Sequence, residues 1–379
     1  MRVAHVMHGL MMGGLEQVVV RLCDAGRAEG IDPYVISFGA DGSMRDVLEQ
    51  HRIPLSYLGP VRGMTPGTVR GIARALRENR IDVAHAHDVG PWLNVVTARA
   101  LAPWVRTAVT FHQIATPSGV ERPAALAAGL ISDALIACGH EVKANVESWA
   151  PPGARLELIG NGVPIGQPPT PEDRRTARQR MEVPKDAVVI GYLGRLHEEK
   201  GVDLLVDAFL DAFAARGSVH LVLIGKGQLE AELRRRIDAR GGCARIHFTG
   251  EILSASSLLA GLDIYVQPSR REGRSLSMLE AMAAGLPTVA QALPAVREIH
   301  LDGRTALLVP PSEKPAFAPA MTRLVDDPDL RLRLGRHARE HVQRFSIEAM
   351  ARSYAEVYRD IVARARLKSA LSRVRRAVA

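Results

Sequence analysis

The chain has 379 residues, 47% apolar and 24% charged, with three cysteines and a formal charge of +8. That length suits two domains of about 150 to 190 residues, each able to bury a core. Cys23, Cys138 and Cys243 are too few and too scattered for a disulfide framework or a cysteine metal site. No run of 18 apolar residues exists to span a membrane, and the N-terminus lacks the features of a signal peptide, so a cytoplasmic protein is expected.

The positive charge is uneven. Arg364, Arg366, Lys368, Arg373, Arg375 and Arg376 follow Asp360 with no acid among them, leaving about +2 for the rest. This tail suits an anionic membrane surface as a basic helix, at roughly 1 kcal/mol per basic residue, or equally a solvated helix end. With 4% aromatic residues and no recognition motif, nucleic acid is not an expected partner.

In chain order, residues 3–10 read as a buried strand, Met11-Met12-Gly13-Gly14 as a glycine loop and 15–29 as a helix. Strands at 33–39, 53–58, 81–86, 106–111, 133–138 and 155–160 follow, with helices near 43–51, 66–79, 91–101 and 139–148. This alternation predicts a parallel, doubly wound sheet. Asn161-Gly162 and the proline-rich GVPIGQPPTPED then read as a linker. The alternation restarts with strands at 187–196, 219–225, 245–250, 263–267 and 287–290 and helices at 201–215, 227–239, 254–261, 275–284 and 315–325. The fold class is therefore α/β: two Rossmann-like domains, 1–165 and 166–346, facing across a cleft, with a last helix about 347–379 packing back on the first.

Arg270 to Gly285 draws the eye, because it carries Glu272 and Glu280 in a loop that opens a helix. Backbone N–H groups at a helix N-terminus favour negative charge. Structural alternatives stand beside a functional reading: Ser277-x-x-Glu280 forms a capping box, and Glu272 pairs with Arg270, Arg271 or Arg274. As a hydrolase pair the two acids are poorly placed, since glycosidase carboxylates face one bond about 5 to 10 Å apart. Arg195 and Lys200, in GRLHEEKG after a strand, suit a diphosphate or a solvated charge cluster. Gly13-Gly14 and Gly225-Lys226-Gly227 fail to complete Gly-x-Gly-x-x-Gly, so neither is a dinucleotide fingerprint. His85, His87 and His112 at strand ends suggest a polar pocket, without the further ligands a zinc site needs.

These residues together resemble the retaining glycosyltransferases of family 4, which have the GT-B fold. The resemblance covers nearly the whole chain through GGLEQ, DVAHAHD, TFH, IGNGV, GRLHEEKGVDLL, LVLIGKG, FTGE and PSRREGRSLSMLEAMAAGLP, with the Glu-x7-Glu element in the last. It implies that a nucleotide-diphosphate sugar, UDP or GDP type, binds the second domain as donor substrate, and a hydroxyl acceptor the first. The acceptor is expected to be lipid-linked, a polysaccharide or a small molecule. Arg195 and Lys200 would hold the diphosphate, Glu280 the ribose, and Glu272 the sugar hydroxyls with the amides of Gly273, Arg274, Ser275 and Leu276. Gly14 would close on the phosphates and His112 would touch the donor sugar. No cofactor or metal is implied, and the leaving phosphate is expected to take the acceptor's proton, giving retention. Where relatives have Glu-Gly-Phe, this chain has Glu272-Gly273-Arg274-Ser275, which suggests an unusual or acidic donor sugar. Glycogen-synthase-like or disaccharide-forming transfer, and a degenerate sugar-nucleotide-binding protein, are the alternatives.

Overall fold

The first strand, β1 (Arg2–His8), is buried on both faces over its middle, which is what a helix-covered parallel sheet requires of its central strand. The computed structural model describes residues 1–11, 13–61, 63–119, 121–252, 254–312 and 316–378, with backbone alone for 368, 369 and 371–378. Met12 of the first glycine loop and the side chains of Lys368, Arg373, Arg375 and Arg376 thus lie outside the described residues.

From β1 the chain runs through α1 (Gly14–Ala28), β2 (Asp32–Phe38), α2 (Met44–Gln50), β3 (Leu55–Tyr57) and α3 (Pro66–Glu78). It continues through β4 (Val83–His87), α4 (Val89–Ala98), β5 (Arg106–Phe111), α5 (Glu121–Ile131), β6 (Ala134–Ala137), α6 (His140–Glu147) and β7 (Leu156–Leu158). The seven strands are parallel, in the order β3-β2-β1-β4-β5-β6-β7. The sequence order reverses between β1 and β4, and open α/β sheets bind ligands beyond the strand ends at such a switch.

The second sheet is fed by α7 (Pro171–Arg180), β8 (Val188–Leu193), α8 (Val202–Phe213), β9 (Val219–Ile224), α9 (Glu230–Ala239) and β10 (Ile246–Gly250). Next come β11 (Ile264–Gln267), α10 (Leu276–Ala283), β12 (Thr288–Gln291), α11 (Pro294–Arg297), β13 (Ala306–Val309), α12 (Phe317–Asp326) and α13 (Pro328–Val342). Its six parallel strands are ordered β10-β9-β8-β11-β12-β13, with the switch between β8 and β11.

The chain divides into two compact units, Met1–Gly162 with Ile347–Ala379, and Val163–Ser346. The last helix, α14 (Ile347–Val378), belongs to the first unit. Its Tyr354 and Tyr358 are buried there, with hydroxyls on Thr110 Oγ1 at 3.0 Å and His85 Nδ1 at 2.6 Å.

Local departures have local causes. The proline-rich segment read as linker contains the start of α7, where Thr170 and Asp173 form a capping box with Pro171 in the first turn. Residues 254–261 form a 3₁₀ helix, Ala255–Gly261, instead of the expected α-helix. The alanine-rich α5 and the four-residue β13 carry no periodicity strong enough to announce them. No helix among the described residues is long and apolar enough to cross a membrane.

Candidate functional site

In the second unit, the loops after β8 and β11 leave neighbouring strands at the switch point and are tied together. Arg270 forms a two-pronged pair with Asp203, both bonds 2.8 Å, and donates to the Glu198 carbonyl at 2.8 Å. The Arg270 amide donates to Glu199 O at 2.9 Å. Gly201, which starts α8, has φ +60°, and a Cβ there would run into the Pro268 carbonyl. The glycines of Gly225-Lys226-Gly227 serve the same end, since a Cβ on either would strike the backbone of Gly194 or Leu196.

That tie brings Lys200 against Glu272. Lys200 Nζ lies 2.5 Å from Glu272 Oε1, with the carboxylate side chain 4% exposed and the lysine 23%. Gln267 Nε2 at 3.0 Å and Ser269 Oγ at 2.9 Å donate to the same oxygen. Among the described residues none donates to Oε2. Gln267 is held in turn by the Tyr265 hydroxyl, which donates to its Oε1 at 2.5 Å and lies 2.9 Å from the Ser277 hydroxyl. Burial pushes the Tyr265 and Tyr192 phenols up, so both remain neutral donors. Tyr192 donates to the Arg195 carbonyl at 2.9 Å. The Arg195 side chain is exposed and has no partner among the described residues.

The helix α10 begins at Ser275, whose Oγ accepts from Met278 N at 3.4 Å. Its N-terminal amides thus follow directly on the Glu272 loop. This corrects the capping-box reading: the cap is Ser275, its N3 partner is Met278, and Glu280 lies in the second turn. The pairing of Glu272 with a neighbouring arginine is corrected as well, because Arg270 belongs to Asp203 and Glu272 to Lys200. Arg274 lays its guanidinium over the Phe345 ring, 4.9 Å from the centroid.

In the first unit, β1, β4 and the residue after β5 bring four histidines together. His5 Nδ1 lies 3.1 Å from His87 Nε2, and His87 Nδ1 2.9 Å from His112 Nε2. His85 is engaged by Tyr358 at 2.6 Å and Thr110 at 2.8 Å. Burial holds His5 down to about 4 and His85 and His87 well below the ordinary value; it lowers His112 too, against the opposing pull of Asp88. The nitrogens of His5, His85 and His87 come within 4.8 Å of one another, a convergence with His5 that the strand-end reading missed. Most of those nitrogens are already engaged with one another or with hydroxyls.

Beside this cluster, at the ends of β1, β2 and β4, lies a cavity of about 350 Å³ lined in part by His8, Glu16, Phe38, His87, Asp88 and Asn94. Gly14, the first residue of α1, is exposed two residues before Glu16. Asp88 starts α4 with φ +66°, ψ 176°, a costly backbone for a residue with a side chain, and its Oδ1 accepts from His112 N at 2.8 Å.

The residues expected to form one site thus fall in two groups. Arg195, Lys200, Glu272, Gly273, Arg274, Ser275, Leu276 and Glu280 share the second unit, while Gly14 and His112 lie in the first. Sequence reasoning missed Tyr265, Gln267 and Ser269, although a glutamine inside the apolar run LDIYVQPS was a signal, and it missed Asp88 and Asn94.

Two family models match the chain: "Glycosyltransferase Family 4" over residues 12–167 and "Glycosyl transferases group 1" over 187–327. A D-inositol 3-phosphate glycosyltransferase of Nocardioides sp. is 28% identical, covering 95% of this chain and 87% of its own. A phosphatidyl-myo-inositol mannosyltransferase of Mycobacterium leprae is 29% identical, covering 92% and 93%. The crystal structure of Anabaena HepE in complex with UDP and glucose superposes with a TM-score of 0.83 at 21% identity, covering 95% of this chain and all of that one.

Proposed function

Because the chain belongs to the family 4 glycosyltransferases and has their GT-B fold, we propose that it moves a sugar with retention from a nucleoside-diphosphate sugar, UDP or GDP type, on the second unit to a hydroxyl acceptor on the first. The observation that carries this reading is the Lys200–Glu272 pair at the switch point of the second sheet, with Arg195 in the same loop as Lys200. Two cations and a run of helix-start amides suit a diphosphate and the charge that grows on it as the glycosidic bond breaks. Glu272, fixed through Oε1 by three donors, has Oε2 to offer to sugar hydroxyls. Glu280 takes the ribose hydroxyls, Gly14 admits the phosphates closely, and His112 touches the donor sugar.

In this reading the C1–oxygen bond of the donor breaks, the leaving phosphate oxygen takes the acceptor's proton on the same face, and the acceptor oxygen bonds to C1. No metal and no separate base take part. The HepE complex with UDP and glucose supplies precedent for the donor class, and the mannosyltransferase relative for sugar transfer. The acidic donor sugar suggested by Arg274 gains no support from a guanidinium laid on Phe345. The basic tail is assigned to an anionic membrane surface, which fits a lipid-linked acceptor.

A thermal-shift screen of nucleotide sugars, followed by transfer assays and product NMR, tests the proposal. Stabilisation by a UDP- or GDP-sugar, a product that keeps the donor's anomeric configuration and activity that survives EDTA are expected. An inverted product or loss of activity in EDTA refutes the mechanism.

A further inference from the structure

The assignment of the acceptor to the first unit leaves its chemistry unnamed, and the cavity at the ends of β1, β2 and β4 narrows it. At about 350 Å³ it lies near the lower end of the roughly 300–1,000 Å³ typical of small-molecule sites. That is room for one ring of sugar or cyclitol size, over an apolar floor of Leu15, Phe38 and Pro91.

The polar lining is one-sided. Asp88 brings a carboxylate and Asn94 an amide, beside Glu16 and the imidazole of His8, and the described lining residues include no lysine or arginine. His87 adds no positive charge, because burial keeps it neutral and both its ring nitrogens are engaged by His5 and His112. Asp88 Oδ1 holds the His112 amide, while Oδ2 takes no donor among the described residues. Asn94 is 2% exposed; its Nδ2 donates to the Gly90 carbonyl at 3.0 Å, and its Oδ1 has no partner among the described residues. A buried amide oxygen without a donor is a standing cost that a ligand N–H or O–H removes.

We propose that this cavity receives an amino-substituted, unphosphorylated sugar or cyclitol as the acceptor ring, its ammonium against Asp88 and a hydroxyl or amine hydrogen on Asn94 Oδ1. The proposal rests on the acceptor role of the first unit. It separates this chain from the relatives named for inositol 3-phosphate and phosphatidyl-myo-inositol, since a phosphate here meets the Asp88 carboxylate and no lysine or arginine among the described lining residues.

The test is isothermal titration of the full chain at pH 7, without donor, using glucosamine, glucose and glucose 6-phosphate. Glucosamine is expected to bind about tenfold more tightly than glucose, as charge-assisted hydrogen bonds do over neutral ones, and glucose 6-phosphate most weakly. Asp88→Asn keeps the Oδ1 acceptor for His112 and is expected to erase the glucosamine advantage while glucose affinity stays put. Binding of a nucleotide sugar to the second unit, measured on the same samples, reports that the variant is folded. The proposal is overturned if glucose 6-phosphate matches glucosamine, if glucosamine and glucose bind alike, if none of the three binds, or if Asp88→Asn leaves the preference intact. Failure of nucleotide sugars to bind the wild type overturns the donor assignment instead, because the ring titrations need no donor.

Discussion

Lys200→Ala separates what the lysine does for the fold from what it does for transfer. The variant leaves Glu272 Oε1, on a side chain 4% exposed, with two neutral donors in place of three. Breaking a buried ion pair from one side costs about 3–5 kcal/mol. Lys200 is 23% exposed, so water entering its place recovers part of that and about 2 kcal/mol remains. Such a loss moves the folding equilibrium roughly 30-fold and lowers the Tm of a unit of this size by about 4–8 °C. Denaturation of wild type, Lys200→Ala, Glu272→Gln and the double variant isolates the pair: without the carboxylate's charge, loss of the lysine costs little, giving a coupling of about 1.5–2 kcal/mol. A coupling below about 0.5 kcal/mol refutes the pair as an energetic contact. Transfer follows a different pattern. Loss of a charge-assisted contact to the diphosphate lowers kcat/KM by about 10- to 150-fold, and Glu272→Gln in the same chain does not restore it. Full restoration by Glu272→Gln reduces Lys200 to a positioning role.

Arg195→Ala removes an exposed guanidinium with no partner among the described residues, so stability stays within about 0.5 kcal/mol while kcat/KM falls by the same 10- to 150-fold; unchanged kinetics remove it from the diphosphate site. On the ribose reading Glu280→Gln lowers nucleotide affinity by calorimetry more than it lowers thermal stability, and the reverse order refutes that role. Acid should weaken the first unit early. His5 is held down to about 4, so below the ordinary value of about 6.5 the unfolded chain takes up a proton that the folded chain refuses. Its contribution is complete above about 6.5 and declines by about 1.4 kcal/mol per pH unit towards pH 4, with His85, His87 and His112 adding in the same direction. Urea titrations at pH 7 and 5 that give equal stability refute this account.

How far the sequence reaches depends on what kind of signal an element leaves. Both sheets were legible because buried parallel strands such as 188–193 and 219–224 are unbroken apolar runs between helical periods. The start of α7 was hidden because Thr170-Pro171 reads as a turn until Asp173 is seen to close a capping box. In the candidate site, motif residues such as Lys200 and Glu272 stood out, but their pairing did not, since 72 positions separate them and only the tie of Arg270 to Asp203 and Glu199 brings the loops together. Ser277 was the better cap by spacing, yet Ser275 won, because the loop enters the helix two residues earlier and Ser277 is taken by Tyr265. Asn94 could not be found at all, for an asparagine inside an apolar helix carries no mark of which cavity it lines.

The arrangement around Glu272 lets one segment serve both stability and, on the proposed reading, recognition. Three donors on one oxygen fix the carboxylate's direction through groups that belong to the scaffold: Gln267 closes β11, Ser269 follows it, and Lys200 sits where α8 begins. A carboxylate held this way would enter a ligand complex without losing further freedom, so on the proposed reading its second oxygen binds hydroxyls at little entropic cost. The lysine is different in kind. Its ammonium has three donor positions and only one is occupied by Glu272, so on the proposed reading it reaches a phosphate oxygen while keeping the pair. On that reading the contact that steadies Glu272 also links the sugar's grip to the charge on its leaving group.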